Sequence, residues 1–433
     1  MMKSPQALSA GRVSPVAAAR AGLAVAIFAG ACAVVAAQSG AGGQGGTSTP
    51  DDPRTATPSV SFTPNDPRRS PGWTVTPIFV FSQASDSNIT LAGQGTPTVA
   101  DAVASLSPSV DLSYLGRSTS LDGGYAGSAA RYFTVDQLDT FDQRLYANLQ
   151  QQVGRRVRLF AQQSAGWLPA TDTILLTGVP FGRVGSRIVT IEGGASIALT
   201  RTADLTAGYR FEHVDFDRTS ALGAQLLGGH THGVFGGVSR QVSSRLSIGG
   251  SYDIRRAIVA GGLQQFNILN AEGNVQVRVS PLLVLSGGFG LARISGSLPN
   301  QGTRVGPAWH VGATYKPGRV AVYASYLRSF VPSYGIGGTV QNAELSAGAT
   351  IPIAFRDRLV VGGNAAWRRN DPLDLTLNRL TSRWLNTYAG YAMAPWLRVE
   401  GFYSRDTQDS HLGGVLRNRV GVQVVTLAPL RFK

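Results

Sequence analysis

A turn-and-strand pattern recurs about every forty residues through the last two-thirds of the chain. The turns read Val153-Gly154-Arg155-Arg156, Val242-Ser243-Ser244-Arg245, Val279-Ser280-Pro281-Leu282, Lys316-Pro317-Gly318-Arg319, Phe355-Arg356-Asp357-Arg358 and Ala394-Pro395-Trp396. After each turn, small or polar residues alternate with apolar ones, as in Leu246-Ser247-Ile248-Gly249-Gly250-Ser251-Tyr252-Asp253-Ile254. A period of two describes a strand with unlike faces. The apolar residues after five successive turns, Leu246, Leu283, Val320, Leu359 and Leu397, lie 37, 37, 39 and 38 positions apart by subtraction. Two strands of about 10–12 residues, one short turn and one longer loop fill such an interval. The pattern therefore predicts an all-β chain, a transmembrane antiparallel up-and-down β-barrel of about eighteen strands, within a range of 16–18.

The first strand is expected over Trp73–Ser82 and the second over Leu106–Tyr114. A third follows the turn at Gly116-Arg117 and ends near Tyr125. Further pairs flank turns at 153–156, 201–204, 241–245, 279–282, 315–319, 355–358 and 393–396, and the last strand covers Leu416–Leu427. An even strand count puts both termini on one side, the periplasmic side. Loops at the other rim are then expected near 83–98, 126–140, 168–186, 216–229, 256–264, 296–305, 331–338, 369–380 and 405–414. Three of these carry apolar residues (Ile174, Leu175, Leu176 and Phe181; Leu226 and Leu227; Val331). They either fold into the lumen or pack on neighbouring loops.

The N-terminus reads as a secretory signal over residues 1–37. Lys3, Arg12 and Arg20 precede the apolar run Ala21–Ala37, and Val35-Ala36-Ala37 fits a signal-peptidase site. The single cysteine, Cys32, lies inside that run, so the mature chain is expected to hold no disulfide. Residues 38–71 are Gly, Ser, Thr, Pro, Asp and Arg with little to bury, a flexible periplasmic linker. The barrel occupies 72–433. No segment beyond residue 40 approaches the roughly 18–20 apolar residues of a spanning helix. A barrel needs no such run, because only alternate residues face lipid.

Parity sorts the strand residues into two sets. Leu145, Ala147 and Leu149; Leu205, Ala207, Tyr209 and Phe211; Leu246, Ile248 and Tyr252; and Val420, Val422 and Val424 are expected to face lipid. Tyr and Trp near strand ends, such as Trp73, Tyr114, Trp167 and Trp367, suit an aromatic girdle. The opposite parity holds the candidate lumen residues Arg144, Arg158, Glu192, Arg210, Glu212, Asp253, Arg255, Arg278, Glu344, Arg398, Glu400 and Arg419, with Asp111, Glu272 and Arg417 beside them. Charge at membrane depth is costly unless it meets water or a partner. These residues either screen solutes or pair across strands to stiffen the wall, and the two roles are compatible.

Net charge is +14 with 15% charged residues. The arginines are scattered over turns and strand ends, without a basic helix or aromatic-interleaved patch, so nucleic acid is not the expected partner. Catalytic signals are thin. His213 and Asp215 share a face, as acid and histidine do at the rim of omptin-type proteases, but no second acidic pair accompanies them. His230 and His232 share a face without a third ligand nearby, which makes a poor metal site. No catalytic, metal or cofactor residue is assigned.

The segments Trp73-Thr74-Val75-Thr76-Pro77, Ser85–Asn88, Val242-Ser243-Ser244-Arg245-Leu246, Gly250-Ser251-Tyr252-Asp253 and Arg417-Asn418-Arg419-Val420-Gly421-Val422 carry a resemblance. Over residues 72–433 the chain resembles the outer-membrane β-barrel porin family of Gram-negative bacteria. Within it, the chain is similar to barrels encoded near exopolysaccharide or exosortase systems. The resemblance implies an outer-membrane location with periplasmic termini, and outer-membrane lipid and the barrel-assembly machinery as partners. It also implies an envelope or polysaccharide-export complex as a further partner. The function it implies is a water-filled channel for passive or weakly selective passage of small or anionic solutes, linked to exopolysaccharide export. The alternative is a non-conducting structural or assembly barrel acting through an envelope partner.

Overall fold

The computed structural model describes residues 71–432, apart from Gln94, 172–176, 297–302, Ile336, 355–357, 374–378 and 411–412. The signal and linker expected over 1–37 and 38–71, and the apolar residues Ile174, Leu175 and Leu176, therefore lie outside the described residues, save Pro71 at the linker's end.

The chain winds as a meander in which each strand pairs antiparallel with the next. The first six strands are β1 (Gly72–Asp86), β2 (Asp101–Leu115), β3 (Thr119–Tyr132), β4 (Thr140–Val153), β5 (Val157–Leu168) and β6 (Ser186–Ala198). Next come β7 (Ala203–Phe216), β8 (Gly229–Gln241), β9 (Leu246–Val259), β10 (Gln264–Arg278), β11 (Leu283–Gly296) and β12 (Arg304–Tyr315). The wall ends with β13 (Ala321–Pro332), β14 (Thr339–Ala354), β15 (Leu359–Pro372), β16 (Leu380–Ala394), β17 (Leu397–Ser410) and β18 (Gly413–Leu427). A helical turn, α1 (Ala221–Gln225), lies between β7 and β8, with the Ser220 side chain accepting from the Gly223 N–H at its start.

Strand β1 pairs with both β2 and β18, from Ile78↔Leu427 to Asp86↔Arg419, so the sheet closes and leaves no edge. Pro429 cannot donate to the ladder, and the chain breaks step there. It then resumes beside β1 as the three-residue β19 (Leu430–Phe432). The barrel thus has eighteen staves, the last in two pieces.

Several strands run further than expected. β3 continues past Tyr125 to Tyr132, β1 past Ser82 to Asp86, and β17 and β18 fill nearly all of the loop expected over 405–414. Polar runs such as Arg405-Asp406-Thr407-Gln408 resemble loop sequence, yet alternate members of them find polar partners inside the barrel. The backbone ladder therefore extends through them.

The register carries each face unbroken around the wall. Thr76, Asp111, Gly124, Tyr146, Ser164, Thr190, Glu212 and Thr231 occupy successive strands on the inner face. The outer face exposes Phe79, Leu106, Phe289, Leu291, Val311 and Val420, an apolar surface suited to lipid. Leu145, Leu205, Tyr209, Ile248 and Val422 share that face. The buried apolar clusters sit inside the barrel, toward the end bearing the longer loops. One gathers Leu168, Val184, Ile188, Val214, Phe216, Leu226 and Tyr334, and a second centres on Phe266, Ile268, Ile294 and Phe330.

Candidate functional site

Residues i and i+2 of a strand share a face, so pairs such as Arg210/Glu212, Asp253/Arg255, Arg398/Glu400 and Arg417/Arg419 enter the lumen together. Some ion pairs close within one strand, as Arg255 with Asp253 and Arg398 with Glu400, and others between strands. On β6–β9, Arg210 reaches Glu192 at 2.5 Å and Arg255 reaches Asp253 at 2.5 Å, with Glu212 buried beside them. On β14–β18 and β1, Arg368 meets Glu344 at 2.5 Å, Arg419 meets Asp406 at 3.0 Å, and Arg417 meets Asp86 at 2.5 Å. Arg398 pairs with Glu400, whose other oxygen accepts from the Gln423 amide at 2.5 Å. Between the two arcs, His310 approaches Glu272 at 3.0 Å.

Three lumen arginines are less engaged. Arg144 stands 3.9 Å from Asp142, and among the described residues neither Arg158 nor Arg278 has an ion-pair partner. Arg158 and Arg278 are exposed, near the end of the barrel that carries the short turns. Both signs line the wall at either end: near the turns Asp122 and Asp204 face inward with Arg158, Arg278 and Arg431, and Arg398 is matched by Glu400, which leaves a small positive excess at that mouth.

Above the paired charges, three loops fold inward. Residues 177–185 leave the β5–β6 side and cross to β17, with β18 and β1–β4 between them along the wall. The Phe181 N–H donates to Gln408 Oε1 at 2.7 Å, and Gln408 Nε2 donates back to the Val179 carbonyl at 3.2 Å. The Phe181 ring packs 6.0 Å from Trp384 on β16. Two residues on, Arg183 donates to the Ile89 carbonyl at 2.6 Å and to the Tyr132 hydroxyl at 2.7 Å. The second loop, 333–338, crosses from β13–β14 toward β7 and β8. Its Tyr334 is 2% exposed and bonds the Thr231 hydroxyl and the Glu212 carboxylate. Burial, reinforced by the Glu212 charge, holds the Tyr334 phenol well above its ordinary pKa, so it remains a donor.

The third loop, 217–228, joins the other two. Leu227 and Gly335 exchange backbone hydrogen bonds of 2.9 and 3.0 Å, and Leu222 of α1 packs on the first apolar cluster. Loop 333–338 is also held by the Gly338 N–H, which donates to Gln264 Oε1 at 2.8 Å. Gly178 and Gly335 have φ of 74° and 91°, and a Cβ on Gly335 would lie 2.8 Å from the Gly178 carbonyl oxygen. The two loops cross backbone against backbone, which glycine alone permits here.

Gln408 is 4% exposed and bonds one strand to a distant loop. Gln408→Leu is expected to leave the Phe181 N–H and Val179 carbonyl unpaired, at about 1–3 kcal/mol each. The expected readout is protease cleavage within residues 177–185 of the folded barrel, at a site protected in the parent protein. Unchanged protection would show that Gln408 does not hold this loop.

The register places all twelve candidate lumen residues on the inner face: Arg144, Arg158, Glu192, Arg210, Glu212, Asp253, Arg255, Arg278, Glu344, Arg398, Glu400 and Arg419. It adds Asp86, His310, Arg368, Asp406 and Gln408, which sequence reasoning missed. Asp86 and Asp406 fell in segments read as loop, and parity would have found them had the strands been drawn longer. His213, Asp215, His230 and His232 lie on the outer face instead. His232 Nδ1 meets the Tyr209 hydroxyl at 2.6 Å, and the His230 and His232 rings stand edge to face 5.2 Å apart. Among the described residues no group of three potential metal ligands converges.

No family model and no curated protein matches the chain. Solved structures similar to it include OpdQ of Pseudomonas aeruginosa, at 12% identity and TM-score 0.44, covering 83% of this chain and 98% of that one. OpdK of the same organism, solved with vanillate, gives 9%, 0.44, 83% and 99%. OccAB4 of Acinetobacter baumannii gives 10%, 0.45, 84% and 100%.

Proposed function

We propose that the chain is an outer-membrane channel for small, preferentially anionic solutes, gated at the loop end by its own three loops. The observation that carries this reading is a charged lumen wall beneath a plug built from loops rather than from a separate domain. Arginines and carboxylates project inward below the apolar clusters, which a wet lumen tolerates. Arg158 and Arg278 favour anions at the mouth on the turn side, whereas Arg144 stands toward the loop end of β4. Both termini then lie in the periplasm, and an exported acidic polysaccharide is one solute class that fits the same chemistry.

Planar-bilayer recording of refolded residues 38–433 across a salt gradient tests the proposal. The parent protein is expected to open rarely, with a reversal potential displaced toward anions. Arg158→Gln/Arg278→Gln should move that potential toward zero without altering the opening frequency. Silence from folded parent protein and from loop-release variants alike would remove the channel reading. It would favour the second reading, a barrel acting through an envelope partner, for which the apolar packing of the plug is the supporting observation.

A further inference from the structure

The outer face of the barrel is not uniformly apolar. On β13, β15, β16 and β17, Arg328, Arg369, Arg383 and Arg405 point away from the lumen, each toward the loop end of its strand. Arg328 and Arg369 share one cross-strand row with only Ala343 between them. Strand spacing puts their backbones roughly 10 Å apart, close enough for two long side chains to converge on one group. Exposed Leu345 and Leu385 lie just below, toward the turn end, and the Tyr326 ring stacks on Trp309 at 4.4 Å.

Carboxylates offset part of this charge. Asp371 pairs with Arg369 at 2.8 Å and with Arg379 at 2.5 Å, and Asp409 pairs with Arg383 at 3.0 Å. Arg328 donates to the neutral Gln341 at 3.0 Å, and among the described residues no carboxylate pairs with Arg328 or Arg405. Five guanidinium groups against two carboxylates leave the patch with a net charge of +3. Arg131, Arg187, Arg256 and Arg293 extend the same level around β3, β6, β9 and β11. At the turn end, Arg240 is the one charged residue on the outer face of the described wall; the other arginines there, such as Arg155 and Arg245, stand in the turns beyond the sheet.

This asymmetry has a physical reading. Arginine on a lipid-facing wall is tolerated at the headgroup level, and its planar fork binds phosphate oxygens two at a time. An apolar wall beneath a cationic row matches a lipid with acyl chains and a phosphorylated headgroup. We propose that the outer face of β13–β17 binds a phosphate-bearing lipid of the leaflet on the loop side. Arg328 and Arg405 make the primary contacts, and Arg369 and Arg383 share their guanidinium donors between phosphate and aspartate. The surface lies outside the lumen and is independent of conduction.

Native mass spectrometry of the detergent-purified full chain would count bound lipid, using a bis-phosphorylated hexa-acyl glucosamine disaccharide and the same lipid without phosphates. The parent barrel should bind the phosphorylated form at least tenfold more tightly. Arg328→Gln/Arg369→Gln/Arg383→Gln/Arg405→Gln should lose that preference, and Arg240→Gln should keep it. Equal binding of the two lipids by the parent barrel would overturn the proposal without any variant. So would a folded quadruple variant, judged by heat-modifiable gel migration, that retains parental binding. If that variant does not fold, Arg328→Gln/Arg405→Gln decides in the same way, and retained preference there refutes the assignment.

Discussion

Tyr334→Ala should turn rare openings into sustained ones. The side chain fills the first apolar cluster and bonds Thr231 and Glu212, so its removal costs loop 333–338 both packing and hydrogen bonds. Truncating a buried aromatic typically costs about 3–5 kcal/mol. At 1.4 kcal/mol per tenfold, that shifts the docked-to-released ratio by roughly two to three and a half orders of magnitude. Because the other loops lean on this one through the Leu227–Gly335 and Gly178–Gly335 contacts, release should spread across the plug. Single-channel recording would show a raised open probability and a several-fold larger conductance step.

Two companions separate packing from polar loss. Tyr334→Phe keeps the ring and leaves Glu212 and Thr231 without their phenol partner, so an intermediate open probability is expected. Gly335→Val forces a β-branched residue into a φ of 91° and against the Gly178 carbonyl, and should resemble Tyr334→Ala. A Tyr334→Ala protein that inserts, folds and gates like its parent would show that the loops do not control passage.

How much of this was legible beforehand follows from the range of each interaction. Strand parity is local, so the faces of Arg210, Glu212, Asp253 and Arg255 could be assigned from sequence alone. The pairing of Asp253 with Arg255 is equally local, but that of Arg210 was not legible, because Glu192 and Arg210 meet through a register set by the whole closed sheet. Strand ends were underestimated where polar residues such as Asp86 and Asp406 are satisfied by distant arginines, since their sequence then looks like loop. The plug was legible only as apolar residues in three loops. Nothing near Tyr334 announces Thr231, 103 residues earlier, or joins Phe181 to Gln408, 227 residues later.

The seam where β18 meets β1 carries the second large effect. Asp86 and Arg417 are 1% and 6% exposed, and both Arg417 Nε and Nη2 donate to one Asp86 oxygen, at 2.8 and 2.5 Å. The Asn88 N–H donates to the other oxygen at 3.1 Å, while the Asn88 amide donates to the Leu416 carbonyl at 3.0 Å. Arg419, opposite Asp86 in the register, is drawn the other way, to Asp406 at 3.0 Å. This network locks the first strand to the last at the loop end of the seam that closes the barrel. Removing one partner leaves a buried charge unmatched, so Arg417→Leu is expected to cost about 3–5 kcal/mol. The unfolding midpoint, followed by loss of heat-modifiable migration in a urea series, should fall accordingly. Replacing both partners, Asp86→Leu/Arg417→Leu, removes the unmatched charge and should recover most of that loss, because an apolar pair often substitutes for a buried ion pair at little cost. If Arg417→Leu left the midpoint unchanged, the pair would be incidental, and closure would rest on the nine backbone register pairs between Ile78↔Leu427 and Asp86↔Arg419. If the double variant proved as unstable as the single one, the seam would require the charges themselves rather than only their mutual neutralisation.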